Sequence, residues 1–167
     1  MKMIKALLLL LVVTEFAYGQ KDSAYVVRRD RELSILVGYN GVKHQFPELG
    51  IAISRMKIID QHHPSGLTMF VSTEVMVAAN TTFGPKAGLW NGGGLLCFGA
   101  NAIYYTNKNE NSIRLRPEVG VGLDRFKLVY GYNHAITNKD FKGINTHNFS
   151  LAVLLKIKTL KRKSGLL

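Results

Sequence analysis

The chain has 167 residues, with 22 lysines and arginines against 11 acids and a formal net charge of +11 at pH 7. That length holds one domain, and the single cysteine, Cys97, excludes an internal disulfide. The basic excess gathers near the ends, in Arg28, Arg29 and Arg31 and again in Lys156, Lys158, Lys161, Arg162 and Lys163, where it reads as solvated flanks or tethers near anionic lipid rather than as a nucleic-acid face.

In chain order, the first element is a secretion signal over 1–19. Lys2 and Lys5 make a basic start, Ala6 to Val13 is unbroken apolar sequence, and Ala17-Tyr18-Gly19 offers a small-x-small cleavage site that leaves Gln20 as the mature terminus. The apolar run is too short to cross a bilayer as a helix, which needs roughly twenty residues. After the signal the chain alternates. The clearest stretch is Ile113-Arg-Leu-Arg-Pro-Glu-Val-Gly-Val-Gly-Leu123, in which the odd positions are apolar or proline and the even ones polar or glycine; this is the period-two signature of a strand with two different faces.

Eight strands are predicted, over 33–40, 45–55, 68–78, 82–90, 95–105, 113–123, 126–134 and 148–157. They are punctuated by Asn40-Gly41, Pro64-Ser65-Gly66, Asn80, Asn91-Gly92-Gly93-Gly94, the polar run 107–112, Asp124 and a longer loop over 137–146. No helical periodicity follows the signal.

The two phases of these strands sort sharply. Gly38, Gly50, Gly88, Gly99, Gly120, Gly122 and Gly131 share the phase of Asn40, Asn101 and Asn133, while Ile35, Val37, Leu49, Ile51, Ile53, Val71, Phe98, Val119, Val121, Leu128 and Leu151 occupy the other. A small closed barrel explains the sorting, because a narrow filled interior rewards glycine beside long polar side chains while lipid rewards a continuous apolar outside. A repeated frame at alternate strands, Phe46-Pro-Glu-Leu-Gly50, Gly84-Pro-Lys-Ala-Gly88 and Arg116-Pro-Glu-Val-Gly120, places three prolines where strand starts or bulges near one rim are expected. It also turns Glu48, Lys86 and Glu118 inward. Glu74, Arg114, Arg116 and Lys127 fall in the same phase, so three acids and four bases form a candidate polar cluster in the lumen that can neutralise itself as a plug. Tyr39, Tyr104, Tyr130 and Tyr132 suit interfacial girdles, whereas Trp90 and Tyr105 fall in the inward phase and read as packing.

No convincing catalytic set emerges. His134, His147 and Asp140 flank or enter the last loop but fall short of a metal site, and Ser150 near His147 lacks an evident acid partner. No cofactor or metal is implied.

Together with the Pro-Glu-x-Gly frames, the segments Phe98-Gly-Ala-Asn-Ala-Ile-Tyr-Tyr105, Leu128-Val-Tyr-Gly-Tyr-Asn133 and Asn138-Lys-Asp-Phe-Lys-Gly-Ile-Asn145 give the stretch 33–160 a pattern that resembles the small outer-membrane β-barrel domains of the OmpA/OmpX type. The resemblance implies an all-β, eight-stranded antiparallel up-and-down transmembrane barrel in the cell outer membrane, with both ends in the periplasm and loops outside. The expected division is a signal peptide at 1–19, a barrel domain at 20–160 and a basic tail at 161–167. The expected role is non-enzymatic, structural or recognition by the outer loops, for a monomer whose partners are outer-membrane lipid and the barrel insertion machinery, with no nucleic acid. A lipid-modifying enzyme on the same scaffold and an exported soluble lipocalin-like barrel with the apolar phase turned inward are the alternatives. One departure stands out: such barrels often end on an aromatic residue, whereas here Lys161-Arg-Lys-Ser-Gly-Leu-Leu167 follows the last predicted strand.

Overall fold

The computed structural model describes residues 26–59, 65–76, 81–93, 95–123 and 125–166. The expected signal segment at 1–19 and the turn residues Pro64, Asn80, Gly94 and Asp124 lie outside them. Among the described residues all regular structure is strand: β1 (Val26–Gly41), β2 (Gln45–Ile59), β3 (Ser65–Met76), β4 (Thr82–Gly93), β5 (Leu96–Thr106), β6 (Asn111–Leu123), β7 (Phe126–Tyr132), the two-residue β8 (His134–Ala135) and β9 (His147–Leu166). β8 continues the line of β7 along β6.

Every pairing is antiparallel, β1 to β7 lie beside one another in sequence order, β8 lies on β6, and β9 pairs with β7 and returns to β1. The sheet therefore closes into a ring of eight strands. Period-two alternation is what makes this closure favourable, since each strand can present one phase to a filled interior and the other outward.

The outward phase is apolar. Ile35, Val37, Leu49, Ile51, Ile53, Val71, Phe98, Val119, Val121, Leu128 and Leu151 are all exposed, Leu49 to 65% and Val71 to 61%, and more large apolar side chains stand outside than inside. This is the reverse of the facing that a soluble lipocalin-like barrel requires. The inward phase carries the polar residues, but it is not uniformly polar. Leu36, Ala52, Phe70, Trp90, Cys97, Val129 and Leu154 form one buried apolar layer, and Phe46, Ile103, Tyr105 and Phe141 form a second.

Several boundaries differ from the sequence expectation. β1 begins at Val26 and β9 runs to Leu166, so the stretch read as a basic tail is paired along Val26–Arg31, with register shifts at Arg31/Glu32 and Leu33/Ser34 where the two strands adjust. The long link expected around 56–67 shrinks because β2 and β3 keep pairing out to Lys57 and Ser65. The prolines of the repeat do not mark bulges: Pro47 pairs with Tyr39, Pro85 with Thr73 and Pro117 with Ala100, without register shift, and all three point outward. Pro117 lies in the middle of β6.

The connections divide the ring into two ends. The facing strand ends Ile59 and Ser65, Gly93 and Leu96, and Leu123 and Phe126 share one end with both described termini; Met76 and Thr82 and the connections at 42–44, 107–110 and 136–146 lie at the other. The longest of these, 136–146, folds over the interior. Its Phe141 is 5% exposed, and Asn145 fastens it to the 42–44 turn by accepting from the His44 and Lys43 backbone N–H groups at 2.8 and 3.2 Å and donating to the His44 carbonyl at 2.6 Å. Asn138 and Gly143 take positive φ values of 38° and 88° in this loop, conformations that asparagine and glycine tolerate best.

Candidate functional site

The interior charges form the site. β2 supplies Glu48, β3 Glu74, β4 Lys86, β6 Arg114, Arg116 and Glu118, and β7 Lys127, all inward because each lies an even number of residues from its strand partners in the polar phase. All seven are buried, Glu74 completely.

Four of them interlock. Lys86 Nζ sits 2.7 Å from Glu48 Oε2 and 2.7 Å from Glu74 Oε1. Arg116 meets Glu74 with both terminal nitrogens, at 2.7 Å to Oε1 and 3.1 Å to Oε2. Paired geometry of this kind gives charge-assisted hydrogen bonds and fixes the orientation of both groups. Neutral residues absorb the remaining valences. Tyr105 Oη donates to Glu74 Oε2 at 2.7 Å and accepts from Arg116 at 2.5 Å; Arg116 Nε donates to Asn133 Oδ1 at 2.7 Å; and Ser72 Oγ and Asn40 Nδ2 each donate to Glu48 at 2.6 Å. Asn40 is in turn the acceptor for Ser150 Oγ at 2.5 Å.

A second group stands beside the first. Lys127 Nζ pairs with Glu118 Oε2 at 2.6 Å and lies over the Trp90 ring at 4.4 Å and the Phe70 ring at 5.5 Å, a placement that adds quadrupole attraction to the ion pair. Phe70 also faces Lys86 at 5.6 Å and so lies between the two groups. Arg114 does not join either of them. Its Nε donates to Ser112 Oγ at 2.9 Å and its Nη2 to the carbonyls of Asn138 and Lys139 at 3.2 and 3.4 Å, so it binds the long loop to the rim.

The six clustered charges comprise three acids and three bases, a balanced set. The two apolar layers bound it: the Trp90 layer toward the end bearing the termini, and the Phe46–Tyr105–Phe141 layer toward the long loop. Ions removed from water are stable only with partners and further hydrogen bonds, and this network provides both for Glu74, Lys86 and Arg116.

Inward phase alone identified the seven charges, and the same phase contains Ser72, Asn148 and Ser150, which sequence reading did not bring into the cluster. The inward apolar side chains Leu36, Phe70, Val129 and Leu154 also escaped it. Among the described residues the histidines take no part in the cluster. His147 hydrogen-bonds Tyr130 through Nδ1 at 2.5 Å on the outer surface and packs against Tyr132, while Ser150 points inward, so the two lie on opposite faces of β9. Among the described residues no three metal-ligating side chains converge. No family model, curated protein or solved structure matches the chain.

Proposed function

We propose that this protein is an outer-membrane β-barrel with a structural or surface-recognition role, held in the lipid by its outer face and filled inside by a salt-bridged plug instead of an open pore. The observation that carries this reading is the continuous apolar belt around a closed ring. On β6 the belt extends over the outward residues from Ile113 to Leu123, which at about 3.4 Å per residue and a tilt of about 45° gives a height near 24 Å. That height suits the apolar band of such barrels, about 25 Å.

Aromatic placement supports the same reading. Tyr39, Phe83, Tyr104, Tyr132 and Phe149 lie outward near the loop end of their strands, with Phe98 and Phe126 near the other, as expected of rings seated at headgroup level. The closed β1–β9 pairing leaves no open edge that would demand a second copy, which favours a monomer. The short links at the terminal end fit periplasmic turns, and the 136–146 loop fits an external one.

Membrane fractionation of the expressed protein tests the proposal. The expected result is recovery in the outer-membrane fraction, resistant to alkaline carbonate and released by detergent. Recovery in buffer without detergent overturns it.

A further inference from the structure

At the end of the ring bearing the termini, six cations form a grid on the outer face. Arg31 pairs across the ladder with Arg55 on one side and Lys161 on the other, and one step further out Arg29 pairs with Lys57 and Lys163 in the same way. Five of these side chains are exposed and Lys57 is half-buried. Like charges directly opposite each other on neighbouring strands are destabilising, so two such rows side by side call for a counter-charge.

Among the described residues none supplies it. The acids beside Arg29 and Arg31 in sequence, Asp30 and Glu32, face inward, where Arg28 and Arg162 take Asp30 and Arg125 and Lys156 take Glu32. Among the described residues none of the six grid cations has an ion pair.

Two residues along the strands the surface changes abruptly. Leu33, Ile53 and Met69 form the next cross-strand row, with Lys158 beside Leu33 on β9, and Ile35, Ile51 and Val71 the one after, with Leu155 beside Ile35. A shallow groove of about 550 Å³ runs over Ile51, Ile53, Met69 and Val71 and ends at Arg31 and Arg55. The same two arginines open onto a predominantly basic pocket shared with Arg29, Lys57, Lys161 and Lys163 and lined also by Met56 and by Asp30, whose charge Arg28 and Arg162 already pair. Apolar groove and cationic pocket thus meet end to end, which is the shape and polarity of an anionic amphiphile.

From this we infer that the grid binds the phosphate headgroup of an anionic diacyl phospholipid, with an acyl chain lying along the Ile51–Ile53–Met69–Val71 groove. The inference rests on the membrane reading above and adds to it a leaflet and a lipid class: the site engages phospholipid on the side of the membrane where the termini lie.

The test uses protein folded into vesicles of phosphatidylcholine alone or mixed with phosphatidylglycerol of the same chains. Flotation reads insertion, and native mass spectrometry after detergent release reads the lipid retained. Flotation with both vesicles and preferential retention of phosphatidylglycerol are expected. At about 1 kcal/mol for each basic side chain near an anionic surface and 1.4 kcal/mol per decade, the double variant R31Q/R55Q lowers that preference about 30-fold, whereas R31K/R55K keeps most of it. The triple variant K57Q/K161Q/K163Q, which leaves both arginines in place, lowers it as well and serves if R31Q/R55Q fails to fold. Inorganic phosphate does not displace the retained lipid.

Flotation with phosphatidylcholine but no preference for phosphatidylglycerol, or a preference that survives in the folded variants, overturns the lipid site and leaves the membrane reading standing. Displacement by inorganic phosphate overturns the acyl-chain groove. Failure to float with either vesicle overturns the membrane reading and the lipid site together.

Discussion

Glu74 accepts from Lys86, Arg116 and Tyr105 at a place water does not reach. Removing its carboxylate leaves Arg116 without its only ion-pair partner among the described residues, while Lys86 keeps Glu48. Breaking a buried pair from one side costs about 3–5 kcal/mol, and Glu74→Ala is expected to lose that much in urea unfolding followed by circular dichroism of vesicle-folded protein. The double variant Glu74→Leu with Arg116→Met removes both charges and is expected to recover part of the loss. A double-mutant cycle with no coupling between the two positions would show that the network is not a unit. Glycines at the same inward phase differ sharply among themselves. A Cβ added at Gly120 would stand 2.2 Å from the Leu128 carbonyl oxygen and 2.6 Å from the Val129 Cα, both backbone atoms of the neighbouring strand, whereas one added at Gly92 would meet nothing within 4 Å. Gly120→Ala is therefore expected to cost about 1–3 kcal/mol by overpacking. Gly92→Ala should gain about 0.4–1 kcal/mol by restricting the unfolded chain. Equal effects in the same unfolding assay would refute this assignment of crowded and open positions.

Along the strands, facing was legible and extent was not. Alternation alone separates Val119 and Val121 from Glu118 and Gly120 in β6, and the structure keeps that separation along β2 to β7, whereas in β9 it lapses beyond Leu154, where Leu155, Lys156, Ile157 and Lys158 are all exposed. What alternation could not show is where pairing stops. Arg28 to Arg31 and Lys161 to Lys163 carry too little apolar character to read as strand, yet β1 and β9 pair there because each supplies the other's backbone partners. Nor could it reveal which inward charges meet. Glu74 and Arg116 lie on β3 and β6, which do not pair, and their contact depends on the curvature of the closed ring. Leu36, Phe70, Trp90 and Leu154 violate the polar phase because together they pack as a layer, and that is a property of several strands at once. For an outward strand position the expected cost of a charge depends on depth. Val119 lies near the middle of the β6 belt and Leu123 at its end, so Val119→Arg should destabilise the vesicle-folded protein by about 2–4 kcal/mol and Leu123→Arg by about 0–1 kcal/mol. Harmless arginine at 119 would place that face away from hydrocarbon.

The ring, its two apolar layers and the ion pairs between them make one claim about the interior: it is solid. Cys97 can test that without any substitution, since it is the chain's only cysteine. It lies in the Trp90 layer with 1% of its surface exposed, beside Gly122 and facing inward. A water-filled lumen would bring a small maleimide to this thiol from at least one end of the ring. A packed lumen offers no such route, because Phe141 and the Asn145-anchored loop close one end and Trp90, Phe70 and Leu154 crowd the layer itself. Reaction with a maleimide requires both access and the thiolate, so the assay is run at pH 8 to 9, where an exposed cysteine with a pKa of about 8.5 reacts readily. The folded protein in vesicles is expected to remain unlabelled over hours, and the same sample in concentrated urea to label completely, as read by mass spectrometry. Labelling of the folded protein at a rate close to that of the unfolded chain would show that the interior is hydrated and that the plug does not hold.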